Sequence, residues 1–517
     1  MRPANQPESP PVPEPRSARH AALAWLHARI NFERTPFVPY LSRQLKLDRM
    51  RQLLTRLGQP DVGMKIIHVA GTKGKGSTSA MLAGMLSAAG YRTGFFSSPH
   101  LERIEERFVV DGQPCTADEL VTLIDRLKPV VRAMDEEAAA DGDSTGGPTY
   151  FEITTAMALL HFVEQKADAV ILEVGLGGRL DSTNVCLPAV SVITSISFDH
   201  MQQLGNTLAA IAREKAGIIK PGVPVVCGVT DAEPRDVIAE IAREHGCRLI
   251  QLGHDFSVQY RTLPDARGGD KETGRGGVED SSHSHSPPLP GSPSGCINFE
   301  LSIPHQEWKL ENVHIQMRGR HQGANAAIAL AVIAELRHQG WCISSDAVRQ
   351  GLLHASLPGR IELVAGNPEV VIDTAHNPAS ARALIATLSE LPPATRRTLI
   401  VSISHDKDVP AVVRELAPHF ERIIVTQYQE NPRAVPIGEL SKTFAETLTP
   451  SAAGSAVGIR PIELITSSTP TTAWQTAVDS SIPGERICIA GSFFLAAEMR
   501  PMILQRYAAE ISDRVIR

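Results

Sequence analysis

The chain has 517 residues, of which 42% are apolar and 21% charged, with a net charge of −6. That balance fits an ordinary soluble globular protein of two to four domains and speaks against a general polyanion-binding surface, so no nucleic-acid partner is expected. Seven dispersed cysteines without a C-x-x-C pair speak against a zinc ribbon or redox motif and for reduced thiols in the cytoplasm.

The segment MRPANQPESPPVPEPRS (1–17) is proline-rich and polar, lacks the apolar core of a signal peptide, and reads as a disordered tail. No run of 18 apolar residues occurs anywhere, so no membrane span is expected. KIIHVAG (65–71) reads as a short strand and STSAMLAGMLSAAG (77–90) as a helix that stops at Gly90. RTGFFSS (92–98) is the next strand, EITTAMALLHFVEQKA (152–167) a helix, and DAVILEVG (168–175) and AVSVITSI (189–196) are buried strands. LAAIAREKAGIIKPG (208–222) reads as a helix stopped by Pro-Gly, followed by the strand VPVVCGV. Alternation of helices with continuous apolar strands predicts an α/β fold with a mostly parallel, doubly wound sheet.

Residues 264–296 break this texture, being rich in Gly, Ser, Pro and charge, and read as a flexible insert. The HSHS run (283–286) inside them would suit a metal, but its low-complexity setting argues for plain solvated histidines. A second α/β series follows LPGR (357–360), with strands EVVIDTA (369–375), RTLIVSIS (397–404), ERIIVTQ (421–427) and RICIAGS (486–492). It predicts a smaller, Rossmann-like C-terminal domain, so that domains span 18–355 and 356–517.

The strand at 65–71 runs into GTKGKGS (71–77), a Gly-rich turn that opens a helix. The spacing is nearly G-x-x-x-x-G-K-[ST], but the lysine, Lys75, precedes Gly76 and Ser77 follows it. Backbone N–H groups at such a helix start favour an anion, and Gly71, Gly74 and Gly76 let the backbone approach a phosphate closely. Lys75 offers a point charge, and Ser77 or Thr78 a hydroxyl. A Gly-rich turn with solvated lysines is the plain alternative. A dinucleotide fingerprint is disfavoured because Ser79 stands at its third glycine position. Glu173 at the end of AVILE, and Asp199 and His200 after a further strand, occupy the strand ends where ligands of an α/β sheet gather. Each alone reads equally as a structural cap or a surface residue. Together they converge on one crevice.

GTKGKGS (71–77), SSPHLERIEERF (97–108), TYFEITT (149–155), EVGLGGRLDSTN (173–184), DHMQQLGNTLAAIAREKAGIIKPG (199–222), GRHQGANAAIA (319–329), PGRIE (358–362), DTAHNP (373–378) and GSFF (491–494) occur in that order. With them the chain resembles the folylpolyglutamate synthase/dihydrofolate synthase family of the Mur ligase superfamily. The resemblance implies a P-loop-type Mur ligase central domain and an ATP-dependent amide ligase: ATP phosphorylates a folate carboxylate, and L-glutamate attacks the acyl phosphate. By position, Gly74, Lys75, Gly76 and Ser77 would hold the ATP phosphates. Ser98 and Glu173 would ligate one Mg²⁺, and Glu173 and His200 would serve a second. Lys215 matches the family's carbamylated lysine, whose anionic carbamate would be a further metal ligand. Asn325, Arg360, Asp373 and His376 would bind ATP from the C-terminal side, with Lys75, Lys215, His200 and Arg360 as the catalytic set. Phe151, Glu152, Leu180, Asp181 and Ser182 would line the dihydropteroate or tetrahydrofolate pocket. A bifunctional, monomeric, cytoplasmic enzyme without a membrane partner is expected.

The chain departs from the family at Lys73 (often Asn in bacterial members), Phe108 (Ile), Thr374 (Gly) and Phe494 (Tyr). None of these removes an expected phosphate or metal ligand. Three other readings compete. A cell-wall Mur ligase usually carries a UDP-sugar-binding domain before the loop, where this chain has only about 65 residues. A P-loop kinase or NTPase leaves Arg360, Asp373 and His376 without a role. A nucleotide-binding scaffold would need lost ligands.

Overall fold

The structure, a computed structural model, describes residues 15–33, 47–142, 146–263, 294–304, 306–449 and 462–515. Its first sheet is built from β1 (Ile66–Ala70), β2 (Thr93–Phe96), β3 (Phe108–Val110), β4 (Gln113–Pro114), β5 (Ala169–Glu173), β6 (Val190–Ile193), β7 (Val225–Cys227) and β8 (Leu249–Gln251). Their order is β4-β3-β2-β5-β1-β6-β7-β8. The run from β2 to β8 is parallel, and every residue of β1, β2, β5 and β6 is buried, as strands covered by helices on both faces must be. β3 and β4 extend the sheet antiparallel, through a hairpin that the sequence reading missed.

A second, antiparallel sheet of β9 (Phe256–Thr262), β10 (Gly295–Ile303) and β11 (Gln306–Ile315) was also not foreseen. The third sheet has β12 (Glu362–Val364), β13 (Glu369–Ile372), β14 (Arg397–Val401), β15 (Arg422–Val425), β16 (Glu463–Thr466) and β17 (Arg486–Ala490) in the order β12-β13-β17-β14-β15-β16, parallel except for β12. The expected mostly parallel α/β architecture in two series is therefore present. Among the described residues no helix is long and apolar enough to cross a membrane.

Several expected boundaries shift. The tail assigned to 1–17 lies outside the described residues up to 14, and Pro15 already opens a helix that runs to His27. The insert assigned to 264–296 lies outside them at 264–293. Gly295 and Cys296 belong to β10, where they pair with Ile315 and His314 on one side and Thr262 and Arg261 on the other. The helix read as 208–222 ends at Ala216, with Gly217 packed against Arg179.

The helix Arg320–His338 is buried from Gln322 to Leu336 at nearly every position, because it lies between the first sheet and the antiparallel one. The helices Lys75–Ala88 and Ser345–His354 cross through paired glycines. A Cβ on Gly351 would stand 2.4 Å from Met85 Cα, and one on Gly84 would stand 2.8 Å from the Gly351 carbonyl oxygen. Backbone touches backbone there, so no side chain can yield. Gly351→Ala is expected to destabilise the domain by about 2–3 kcal/mol through overpacking, read as an earlier midpoint in urea unfolding; an unchanged midpoint would mean that the helices separate freely.

Candidate active site

Four neighbouring strands, in the order β2-β5-β1-β6, end on the same edge of the first sheet. With strands about 4.8 Å apart, this order sets side by side Ser98 after β2, Glu173 ending β5, the Gly-rich loop after β1, and Asp199 and His200 after β6. The C-terminal domain brings its own strand ends to meet them: Asp373 and His376 follow β13, Asp406 and Lys407 follow β14, and Ser492 follows β17. Between the two rows lies a cavity of about 1220 Å³. It is lined by all the expected site residues, from Gly74 through Phe151, Leu180 and Ser182 to Asn325 and Arg360.

The loop is held open by its glycines and tied to β6. Gly74 has φ 84°, which turns the chain so that Lys75 becomes the first helical residue, two positions earlier than the periodicity predicts. A Cβ there would lie 2.3 Å from Asn325 Oδ1, so Asn325 packs directly on the loop; its amide also donates to Gln322 Oε1 at 2.9 Å. Thr194 and Ser195 hydroxyls donate to the Lys73 carbonyl at 2.6 and 3.0 Å. The ammonium groups of Lys75 and Lys215 each donate to the Gly71 carbonyl at 3.1 Å. Burial, then the charge of Lys75, push the Lys215 pKa down to about 7.

Glu173 is buried, which raises its pKa, while Lys75, Arg360 and a backbone hydrogen bond from Ser98 oppose that rise. The Ser98 hydroxyl is buried and has no partner among the described residues. His200, with φ 49°, starts a short helix at the rim. Burial and Lys407 lower its pKa, leaving a neutral ring. Among the described residues no three His, Cys, Asp or Glu side chains cluster as a ready metal cage. A cation here would therefore draw on Glu173, the orphaned Ser98 hydroxyl and phosphate oxygens, the sparse protein ligation usual for Mg²⁺. The donor set fits that ion.

Across the cleft, Asp373 accepts from the backbone N–H groups of Ile361 at 2.9 Å and Ala375 at 2.7 Å. Burial raises its pKa, and Arg360 opposes this. Arg360 makes no hydrogen bond or ion pair with another described residue, so its fork of donors is available to a ligand. His376 Nδ1 donates to the Thr374 carbonyl at 2.8 Å, which leaves Nε2 to accept from Lys73 Nζ at 3.1 Å. Burial and Lys73 push His376 down to about 4.

The expected folate-side residues divide. Phe151 packs beside Phe96, ring centroids 5.9 Å apart, and faces the cavity. Glu152 is consumed by structure. It takes Arg49 Nε at 3.0 and 2.9 Å and completes a capping box with Thr149. Asp181 likewise accepts from the N–H groups of Gly175 and Leu176, each at 3.0 Å, and from Thr183. Both carboxylates shape the pocket wall with oxygens already engaged.

The sequence reading passed over Lys407, Asp406, Arg433 and Arg107. The first two sit in HDKD after a strand, the same strand-end signal that pointed to Asp199. Arg107 stood inside the quoted SSPHLERIEERF but drew no role. It is fully buried, donating to Glu33 at 2.9 and 2.6 Å and to His100 Nδ1 at 2.8 Å.

A Gly-rich loop opening a helix on one side of the cavity, facing an arginine and an aspartate of a second domain on the other, is a layout that suits an ATP-dependent ligase. Residues 69–333 match the family model of the Mur ligase middle domain, and residues 359–493 that of the Mur ligase glutamate ligase domain. The chain is 37% identical over 404 residues to the dihydrofolate synthase/folylpolyglutamate synthase of Bacillus subtilis, covering 77% of this chain and 83% of that protein. Among solved structures it is similar to Mycobacterium tuberculosis folylpolyglutamate synthase complexed with ADP and AMPPCP, with TM-score 0.77, 27% identity and coverage of 95% and 99% of the two chains. It is also similar to Escherichia coli FolC in complex with DHPP and ADP, with TM-score 0.73, 29% identity and coverage of 96% and 100%. The chain belongs to the folylpolyglutamate synthase/dihydrofolate synthase family of the Mur ligases.

Gly74→Ala places a Cβ at positive φ against Asn325. It is expected to weaken binding of a non-hydrolysable ATP analogue by about tenfold or more, measured by titration calorimetry. Unchanged affinity would take the phosphates away from this loop.

Proposed function

We propose that the chain is an ATP-dependent amide ligase that adds L-glutamate to a folate carboxylate, and that it serves both dihydropteroate and tetrahydrofolate acceptors. The reading rests chiefly on one observation: the phosphate loop, Glu173 and orphaned Ser98 hydroxyl of the first sheet face Arg360 and Asp373 of the third across a single cavity. The Bacillus subtilis relative carries both activities in its name, which supports the bifunctional reading. We further place the domain division near residue 355.

A carboxylate is a poor electrophile. Transfer of the γ-phosphoryl group breaks the bond to the β-phosphate oxygen and forms a mixed anhydride with the folate carboxylate. The glutamate amine then attacks that carbonyl carbon, loses a proton and expels phosphate as the amide forms. Little of this needs covalent help from the protein, so positioning and charge stabilisation carry the catalysis. The loop N–H groups from Gly74 to Ser77 and the Lys75 ammonium cradle the phosphates. Arg360 bridges phosphoryl oxygens from the opposite side, Asp373 and Asn325 hold the nucleotide, and Phe151 offers a face to the pterin ring. Ser98 and Glu173 would hold one Mg²⁺, and Glu173 and His200 a second, with the Lys215 carbamate as a further ligand; bound there, the ions would neutralise charge on the phosphate oxygens.

Lys215 is suited to carry a carbamate. A carbamate forms when a neutral amine adds to CO₂ and releases a proton. A lysine near its ordinary pKa of 10.5 is almost wholly protonated at neutral pH, whereas Lys215 at about 7 is substantially neutral. Its new negative charge would also relieve the crowding of Lys75 and Lys215 on one carbonyl. The sign follows from the depressed value. Below about 7 the ammonium form dominates and carbamylation fails; above it, the amine is free. CO₂-depleted enzyme is expected to be weakly active at about pH 6 and to recover with bicarbonate at about pH 8, while Lys215→Arg recovers nothing. Full activity of Lys215→Ala at saturating Mg²⁺ would remove the carbamate from the mechanism.

The assignment itself is tested by ATP- and glutamate-dependent phosphate release, with dihydropteroate and tetrahydrofolate offered in parallel. Release with both is expected. Release with one alone narrows the enzyme to that acceptor, and release with neither, despite ATP binding, overturns the folate reading.

A further inference from the structure

Asp199 is among the most heavily engaged side chains in the cavity. Only 7% of it is exposed, and it draws cations from both domains. Oδ2 accepts from Lys73 Nζ of the phosphate loop at 3.1 Å and from Asn377 Nδ2 of the C-terminal domain at 3.1 Å. Oδ1 accepts from Lys407 Nζ of the C-terminal domain at 2.9 Å. Lys73 also meets His376 across the same boundary. The chain of charge continues outward, because Lys407 pairs with Asp406 at 3.6 Å, Asp406 with Arg433 at 2.5 Å, and Arg433 donates to the Glu33 carbonyl at 2.9 Å. Burial alone would raise the Asp199 pKa, but Lys73, His376 and Lys407 hold it well below the usual carboxylate range.

Resting on the ligase reading above, we propose that Asp199 is the positioning residue that seats the C-terminal domain on the phosphate loop. Three features carry this. First, one buried carboxylate binds Lys73 in one domain and Lys407 and Asn377 in the other, so it can be satisfied fully only when the domains are closed. Second, Arg360 and Asp373 stand on the same C-terminal domain as Lys407. The distance from the loop's phosphates to Arg360 is therefore set by the same closure. Third, the partners are polar or charged rather than apolar. An interface of this kind reopens with little penalty, because water replaces each contact, whereas a closed one is stiff. Asp199 thus acts through Lys73 and Lys407 and need touch neither nucleotide nor acceptor.

The test uses the full chain with Asp199→Asn, Lys407→Met and the double variant. Asp199→Asn keeps shape and loses charge. Lys407→Met removes the ionic partner from the C-terminal domain and leaves the Lys73 pair and the Asn377 hydrogen bond intact. Each single variant is expected to lower kcat/KM for ATP by about 30-fold at saturating Mg²⁺, and the double variant to be no worse than the poorer single one. Small-angle scattering without nucleotide is expected to show a larger radius of gyration for both variants, and Asp199→Glu to restore part of the closure. Wild-type scattering from either variant, or losses that multiply in the double variant, would overturn the proposal. Should Asp199→Asn fail to fold, Lys407→Met alone decides by the same scattering criterion. If the wild type releases no phosphate with either folate and the variants still open, the folate reading fails while the domain-seating role stands.

Discussion

The structure is governed by the need to keep many charges satisfied around one cavity of about 1220 Å³. Two rows of strand ends point at each other, and each row delivers ionisable groups. Lys73, Lys75, Lys215, Arg360 and Lys407 face Glu173, Asp199, Asp373 and Asp406 around one space. A buried charge without a partner is costly, and most of these charged groups are offset by an ionic or hydrogen-bonding partner. The exceptions are informative. The Ser98 hydroxyl and the Arg360 guanidinium lack partners among the described residues, and burial, then the charge of Lys75, lowers the pKa of Lys215 to about 7. On the proposed reading, these are the places where an ion, a ligand and a modification would complete the balance.

Much of this was legible in the sequence because the central strands are short apolar runs that end abruptly in polar residues. AVILE closes on Glu173 and KIIHVAG on the Gly-rich loop, and the parallel order then brings those ends together. What escaped notice is equally physical. The hairpin of β3 and β4 and the antiparallel sheet of β9 to β11 have half-exposed strands, such as FSVQYRT, whose polar residues hide the pattern. Glu33 gave no signal, since its role depends on Arg107 and Arg433, which are distant in sequence and contributed by two different domains. Glu152 and Asp181 illustrate the opposite case. Both line the cavity, but motif order could not reveal that each carboxylate is already spent on Arg49, Thr183 and loop N–H groups.

The departures from the family pattern find local accommodations. Thr374 donates its backbone N–H to the Gly359 carbonyl at 3.1 Å, and a Cβ on Gly359 would come within 3.1 Å of the threonine methyl. The larger residue at 374 is tolerated because its neighbour carries no side chain. Phe494 lacks a hydroxyl but lies against Tyr428, whose own hydroxyl bonds Ser404 at 2.7 Å. Lys73 adds a cation to a loop that already has Lys75. Burial and its surroundings bring its pKa down to about 8, and Asp199 absorbs the charge.

That last accommodation connects the loop to the rest of the molecule. A cation at position 73 without Asp199 would face Lys75 within the same Gly-rich loop with no counter-charge. With Asp199 present, the same cation becomes a contact, and the other carboxylate oxygen accepts from Lys407 and the His200 N–H. An apolar interface of similar area would close the cleft more firmly, but it would also resist the opening needed to release ADP and a bulky folate product. Ionic contacts exchange with water at small net cost, so closure can follow the occupancy of the site. The charges that make the cavity difficult to build are thus the ones that let it open and shut.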